Sequence, residues 1–232
     1  MRKTQMFVIG GVLIILIIGA VQFLYPRSAV SPTTSTATST TEQNVSTTTI
    51  PVTSVTNVKI TQKSPTAYSI SLSEGDTVVS WDFKGAYTGN PELVTKAQDE
   101  IKRLSGLLAT ATSSKMILSV SVANQYELLG DGKNQYDYLK RAIQANTENG
   151  LPWHNLGVLM ERLGAFNTAR VAYEKSTHLQ PQFQFYHFAY LEFLTSRMKD
   201  DTAVIENAFA FAEENIGKTP YLSELRTEWM KP

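Results

Sequence analysis

The chain has no cysteine. That excludes a disulfide framework, a thiol nucleophile, a cysteine-ligated metal and lipid attachment through an N-terminal cysteine. It holds only three histidines, His154, His178 and His187. No two of them stand at the spacing that would put two metal ligands on one helix face. No G-x-S-x-G, H-E-x-x-H or glycine-rich phosphate loop occurs, and Gly10 and Gly11 fall inside an apolar run. Charge of one sign is lacking too: 21 basic residues balance 21 acidic ones, and from residue 116 onward there are 11 basic to 14 acidic. Without a basic patch or interleaved basic and aromatic residues, nucleic acid is not an expected partner. Asp99-Glu100 and Glu213-Glu214 are acidic pairs on predicted helices. They read as solvated faces, because general acid–base carboxylates need desolvation. From these absences we expect no enzyme: no catalytic residue, no metal ligand and no cofactor.

What the chain does have begins with an apolar run over residues 7–25, preceded by Arg2 and Lys3. About 20 such residues span a bilayer as a helix. Flanking basic residues hold the N-terminus, residues 1–6, in the cytoplasm. The run is therefore expected to be a single-pass membrane anchor contacting the lipid bilayer, with the rest of the chain extracytoplasmic. A cleaved signal peptide has a shorter apolar region and a small-x-small site, which Ile18-Gly19-Ala20 fits poorly. Both alternatives put the residues after Tyr25 across the membrane. In residues 31–57, 16 of 27 are Ser or Thr and Glu42 is the one charge, too little apolar surface to fold. Residues 26–57 are thus expected to be a disordered linker, an extended spacer. Its Asn44-Val45-Ser46 is a formal glycosylation acceptor that such a tract produces by chance.

Residues 58–90 alternate. Tyr68, Ile70 and Leu72 are followed, after Glu74-Gly75-Asp76, by Val79, Trp81 and Phe83. This predicts a short β-hairpin whose apolar face packs on the helical region. Asn90-Pro91-Glu92 then starts a helix, with an Asn cap, Pro in the first turn and an acid at the positive dipole end. Leu93, Ala97, Ile101, Leu104 and Leu108 continue it to about residue 109 on one face. Farther on, Trp153, Leu156, Leu159, Met160 and Leu163 share another helix face, which begins at Pro152 and closes at Gly164. A second helix carries Phe166, Ala169, Ala172, Tyr173 and Leu179 inward until Pro181 stops it. Gly157 and Ala169 are small where the two helices would cross.

This stretch, residues 153–181, resembles a tetratricopeptide repeat, the 34-residue helix–turn–helix unit. Trp153, Leu156, Gly157, Gly164, Phe166, Ala169, Tyr173 and Pro181 carry the match. Met160 stands in for the usual aromatic and Ser176 for a small Ala. Shifting the pattern both ways predicts three repeats, near 116–149, 150–183 and 184–217. Capping helices over 91–109 and 220–230 complete a helical domain spanning 91–232. The expected fold class is all-α: an array of antiparallel helix pairs, a short N-terminal β-hairpin, and ahead of it one transmembrane helix and the linker.

The resemblance implies that first helices of successive repeats line a concave groove. At those positions stand Asn124 and Glu127, then His154, Val158, Glu161 and Arg162, then Phe185, Phe188 and Glu192. His154 is expected there as an exposed or partner-contacting imidazole. Members that grip C-terminal carboxylates need basic residues where this chain has Val120, Phe185 and Ala189, so that mode is not expected. The implied function is a membrane-tethered scaffold whose groove takes an extended or helical segment of another envelope protein, with Phe185 and Phe188 as apolar anchors. A competing expectation is an envelope carbohydrate-binding protein or enzyme accessory with its site in residues 58–90, where Tyr68, Trp81 and Tyr87 would stack on sugars.

Overall fold

The computed structural model describes residues 70–231, all within the unit Thr61–Pro232. The anchor run 7–25, the linker and the opening of the expected hairpin, with Tyr68, lie outside the described residues. Among the described residues no helix is long and apolar enough to cross a membrane.

The described residues form eight helices and no strand: α1 (Pro91–Thr110), α2 (Lys115–Leu129), α3 (Gly132–Ala145), α4 (Gly150–Arg162), α5 (Phe166–Leu179), α6 (Gln184–Arg197), α7 (Thr202–Ile216) and α8 (Pro220–Trp229). Connections of two to four residues return the chain alongside itself, so each helix packs on the next, and α8 also packs on α6. Helix starts recur every 34 to 36 residues, at Lys115, Gly150, Gln184 and Pro220 and again at Gly132, Phe166 and Thr202. Local chemistry sets several of these starts. Asn90 caps α1 through Leu93 N, Asp131 caps α3 through Asn134 N, and Thr219 caps α8 through Leu222 N.

The core is one apolar layer threaded between the helices. Ala97 and Leu104 of α1 are buried, as are Val120 and Ala123 of α2, Leu139 and Ile143 of α3, and Trp153, Leu156, Leu159 and Met160 of α4. It continues through Ala169 and Tyr173 of α5, Leu191 and Leu194 of α6, Ile205 and Phe209 of α7, and Leu222 of α8. The tightest crossing is α4 on α5. A Cβ at Gly157 would lie 2.7 Å from the Tyr173 ring, so the absent side chain is what lets the ring lie flat on the α4 backbone.

Residues 70–90 correct the expected hairpin. Ile70 and Leu72 do not pair with Val79–Phe83, and the one bridge is Asp82 to Asp131. The segment is an extended strap, and its backbone is satisfied by helix ends. Tyr136 Oη donates to Ile70 O at 2.7 Å, Gly132 N to Trp81 O at 2.9 Å, Phe83 N to Gly130 O at 3.0 Å and Tyr87 N to Leu128 O at 2.9 Å. Ile70, Leu72, Trp81 and Phe83 still face inward without a partner strand, but the expected alternation fails at Val79, which is 99% exposed while Val78 packs on the core. Gly130 (φ +82°) gives the turn its left-handed residue and leaves no room for a Cβ beside Phe83 O.

The strap also completes a helix that cannot cap itself. Ala165 precedes α5 and has no side-chain acceptor. Asp76 takes that role from ninety residues away: its carboxylate accepts from Asn167 N (3.2 Å), Thr168 N (2.6 Å), Thr168 Oγ1 (2.7 Å) and Asn167 Nδ2 (3.1 Å).

Candidate interaction groove

The side chains expected to line the groove belong to α2, α4 and α6, one helix period apart. Between α2 and α4 they mostly meet each other. Asn155 Nδ2 donates to Asn124 Oδ1 at 3.3 Å, and the Arg162 guanidinium lies 3.0 Å from Glu127. The same guanidinium sits 4.6 Å over the Phe83 ring, so the strap closes this end. Between α4 and α6, Glu161 accepts from Arg197 Nε at 3.2 Å and from Tyr173 Oη at 3.1 Å. Burial, reinforced by the neighbouring Glu161, pushes the Tyr173 phenol far above its ordinary range, so it acts only as a donor. Val158 is half-buried against the core.

His154 departs from expectation. It is 1% exposed, and neither ring nitrogen has a hydrogen-bond partner. Helical spacing does aim it at the first-helix face, but α6 lays two rings over it. Phe185 lies 4.8 Å away and Tyr186 5.3 Å, with Tyr173 at 5.7 Å on the other side. Burial alone lowers its pKa to about 4, so it is a neutral ring inside an aromatic box at physiological pH. Its covering partners come from the next helix pair, which is why spacing along α4 did not reveal them.

Toward α8 the face changes character. Phe185 keeps 42% of its surface exposed while its inner side covers His154. Phe188 is half-buried, packs against the core and lies 4.6 Å from the Tyr221 ring, so it supports the rim and is not a free anchor. Tyr221 is 37% exposed and its hydroxyl donates to Glu192. Burial, that bond and Glu224 together raise the Tyr221 phenol. Tyr221 falls within the capping helix expected over residues 220–230. Yet it stands two 34-residue periods beyond Trp153, at a first-helix position, and that was the available signal.

The strap region offers less. Trp81 is half-buried, its ring 5.1 Å from Tyr136 and 5.8 Å from the Lys133 ammonium, so it is engaged within the molecule. A cleft of about 350 Å³ opens between the strap tip and the end of α6, lined in part by Asp76, Asn167, Arg197, Met198, Asp200 and Asp201. Among the described residues no three His, Asp or Glu side chains gather as a metal site would need. The chain matches no family model, no curated protein and no solved structure.

Proposed function

We propose that this chain is a non-catalytic, membrane-tethered scaffold of the tetratricopeptide kind, which binds a segment of another envelope protein along its first-helix face. The observation that carries it is the recurrence of helix starts every 34 to 36 residues through three helix pairs and α8. Stacked pairs of this sort present a continuous face built from alternate helices. The Gly157–Tyr173 crossing supports the same assignment, because a ring seated on a backbone is what the spacing of small and aromatic residues in the resemblance requires. The tether rests on the apolar run 7–25 behind Arg2 and Lys3, and the Ser/Thr-rich stretch serves as spacer, raising the effective concentration of the scaffold near the membrane.

A photo-crosslinker at position 185 in cells should give a discrete protein adduct, and one at Asp99, on the exposed side of α1, should not. No adduct from position 185, or the same adduct from both, overturns the scaffold reading. External protease should cut within residues 31–57 and release a compact fragment. Protection of that stretch in spheroplasts would remove the tether.

A further inference from the structure

We propose that the α6–α8 end of the groove takes a polypeptide segment, from another protein, that carries a cationic side chain beside an apolar one. This rests on the groove proposed above and adds the chemistry of the partner.

Charge is the first observation. Residues 116–181 hold six basic and six acidic side chains, whereas residues 182–231 hold five basic and eight acidic. All the negative excess beyond residue 116 therefore lies in the last third. Three of the five cations there are already engaged: Arg197 reaches back to Glu161 on α4, Arg226 is held by Glu206 and Glu213, and Lys231 by Glu228, while Lys199 and Lys218 pair with neither Glu192 nor Glu224. Glu192 and Glu224, which flank Tyr221, are both exposed and form no ion pair.

The aromatic surface is the second. Phe185 and Tyr221 are among the few large apolar side chains left exposed, and Phe188 buttresses Tyr221 from below. An exposed ring beside an uncompensated carboxylate is a two-part receptor. A lysine or arginine stem lies on the ring, and its charged end reaches the carboxylate. Tyr221 Oη already donates to Glu192, so that acceptor is held in place before a partner arrives. Anionic partners, including phosphate groups of lipid or nucleic acid, meet like charge here and are disfavoured.

The test uses the full chain and three short fluorescent peptides that alternate leucine with lysine, with serine or with glutamate. Anisotropy should show the lysine peptide binding about tenfold more tightly than the serine one, weakening as salt rises from about 50 to about 300 mM. The glutamate peptide should bind weakest. Glu192→Gln with Glu224→Gln should bring the lysine peptide down to the serine level. Phe185→Ala with Tyr221→Ala should remove binding of both, and Asp99→Asn, on the exposed side of α1, should change nothing. If serine or glutamate peptides bind as well as lysine, and binding still needs Phe185 and Tyr221, the charge proposal falls and the groove stands. If binding ignores Phe185 and Tyr221, both fall. If no peptide binds, the proposal is overturned, and the crosslink from position 185 decides the groove on its own.

Discussion

Between α2 and α4, the side chains that face the groove answer one another: Asn124 meets Asn155, Glu127 meets Arg162, and Phe83 of the strap lies under the guanidinium. Between α6 and α8 the same face holds exposed Phe185 and Tyr221, with Glu192 and Glu224 flanking Tyr221 and neither carboxylate in an ion pair. One helix period thus produces two surfaces. Where polar groups are paired within the fold, a partner must break an interaction to make one. Where rings and carboxylates are left uncompensated, a partner adds interactions at little loss. Position in a repeat therefore says which side chains face a groove, and pairing within the fold says which of them remain available.

The largest expected effect lies where the two ends join. Tyr173 donates to Glu161, faces Tyr190 and Phe193, and fills the space over Gly157. Tyr173→Ala should cost about 3–5 kcal/mol in denaturant unfolding. Gly157→Leu should cost several kcal/mol by overpacking the same crossing. A loss below about 1 kcal/mol for Tyr173→Ala would mean that the two ends are not held through a common core.

Next comes His154, buried between the ends. Its folded pKa of about 4 lies below the ordinary 6.5, so the unfolded chain takes up the proton first. Stability should be fully present above pH 6.5 and fall as pH drops toward 4, by roughly 3 kcal/mol. His154→Leu should flatten most of this slope. A smaller part remains from His187, which burial also lowers despite its 2.7 Å contact with Pro181 O. An unchanged slope in the variant would show that the imidazole is hydrated, and that Phe185 does not cover it.

Asp76→Ala comes third. It removes the acceptor of four donors at the start of α5 and should cost about 1–2 kcal/mol. Amide exchange should rise first at Asn167 and Thr168, with α6–α8 unaffected. Uniform acceleration would mean the strap supports both ends alike. The smallest effect is a double-mutant cycle of Glu127→Gln and Arg162→Ala. Both side chains are about one-third exposed, so the coupling should be about 0.2–1 kcal/mol. A matching cycle on Glu192 and Arg197 should give none, because Arg197 is directed at Glu161.

Much of the helical layout was legible because its signals are local. Asn90-Pro91-Glu92 starts α1 where a cap, a proline and an acid coincide, and the apolar spacing of Trp153 to Leu163 marks α4. The strap was misread because alternation reports only that every second side chain points inward; it does not say whether the backbone pairs with a strand or with helix ends. The candidate site was legible as positions and not as availability. Whether Phe185 is free, His154 covered or Glu127 paired depends on neighbours about thirty residues away, which a single helix face does not contain.

The strap has a consequence for the order of events during synthesis. Its docking sites come later in the chain than the strap itself: Ile70 O waits for Tyr136 across 66 residues, and Ser73 N waits for Thr168 across 95. At about 5–20 residues per second, translation leaves the strap without its receptor for roughly 5 to 20 seconds. These are also among the most sequence-distant contacts in the domain, so loop closure defers them until the local helix pairs exist to receive them. The first part of the domain to be made is therefore the last to be fixed. A nascent chain halted before Thr168 should hold its first helix pairs while residues 70–76 remain open to protease.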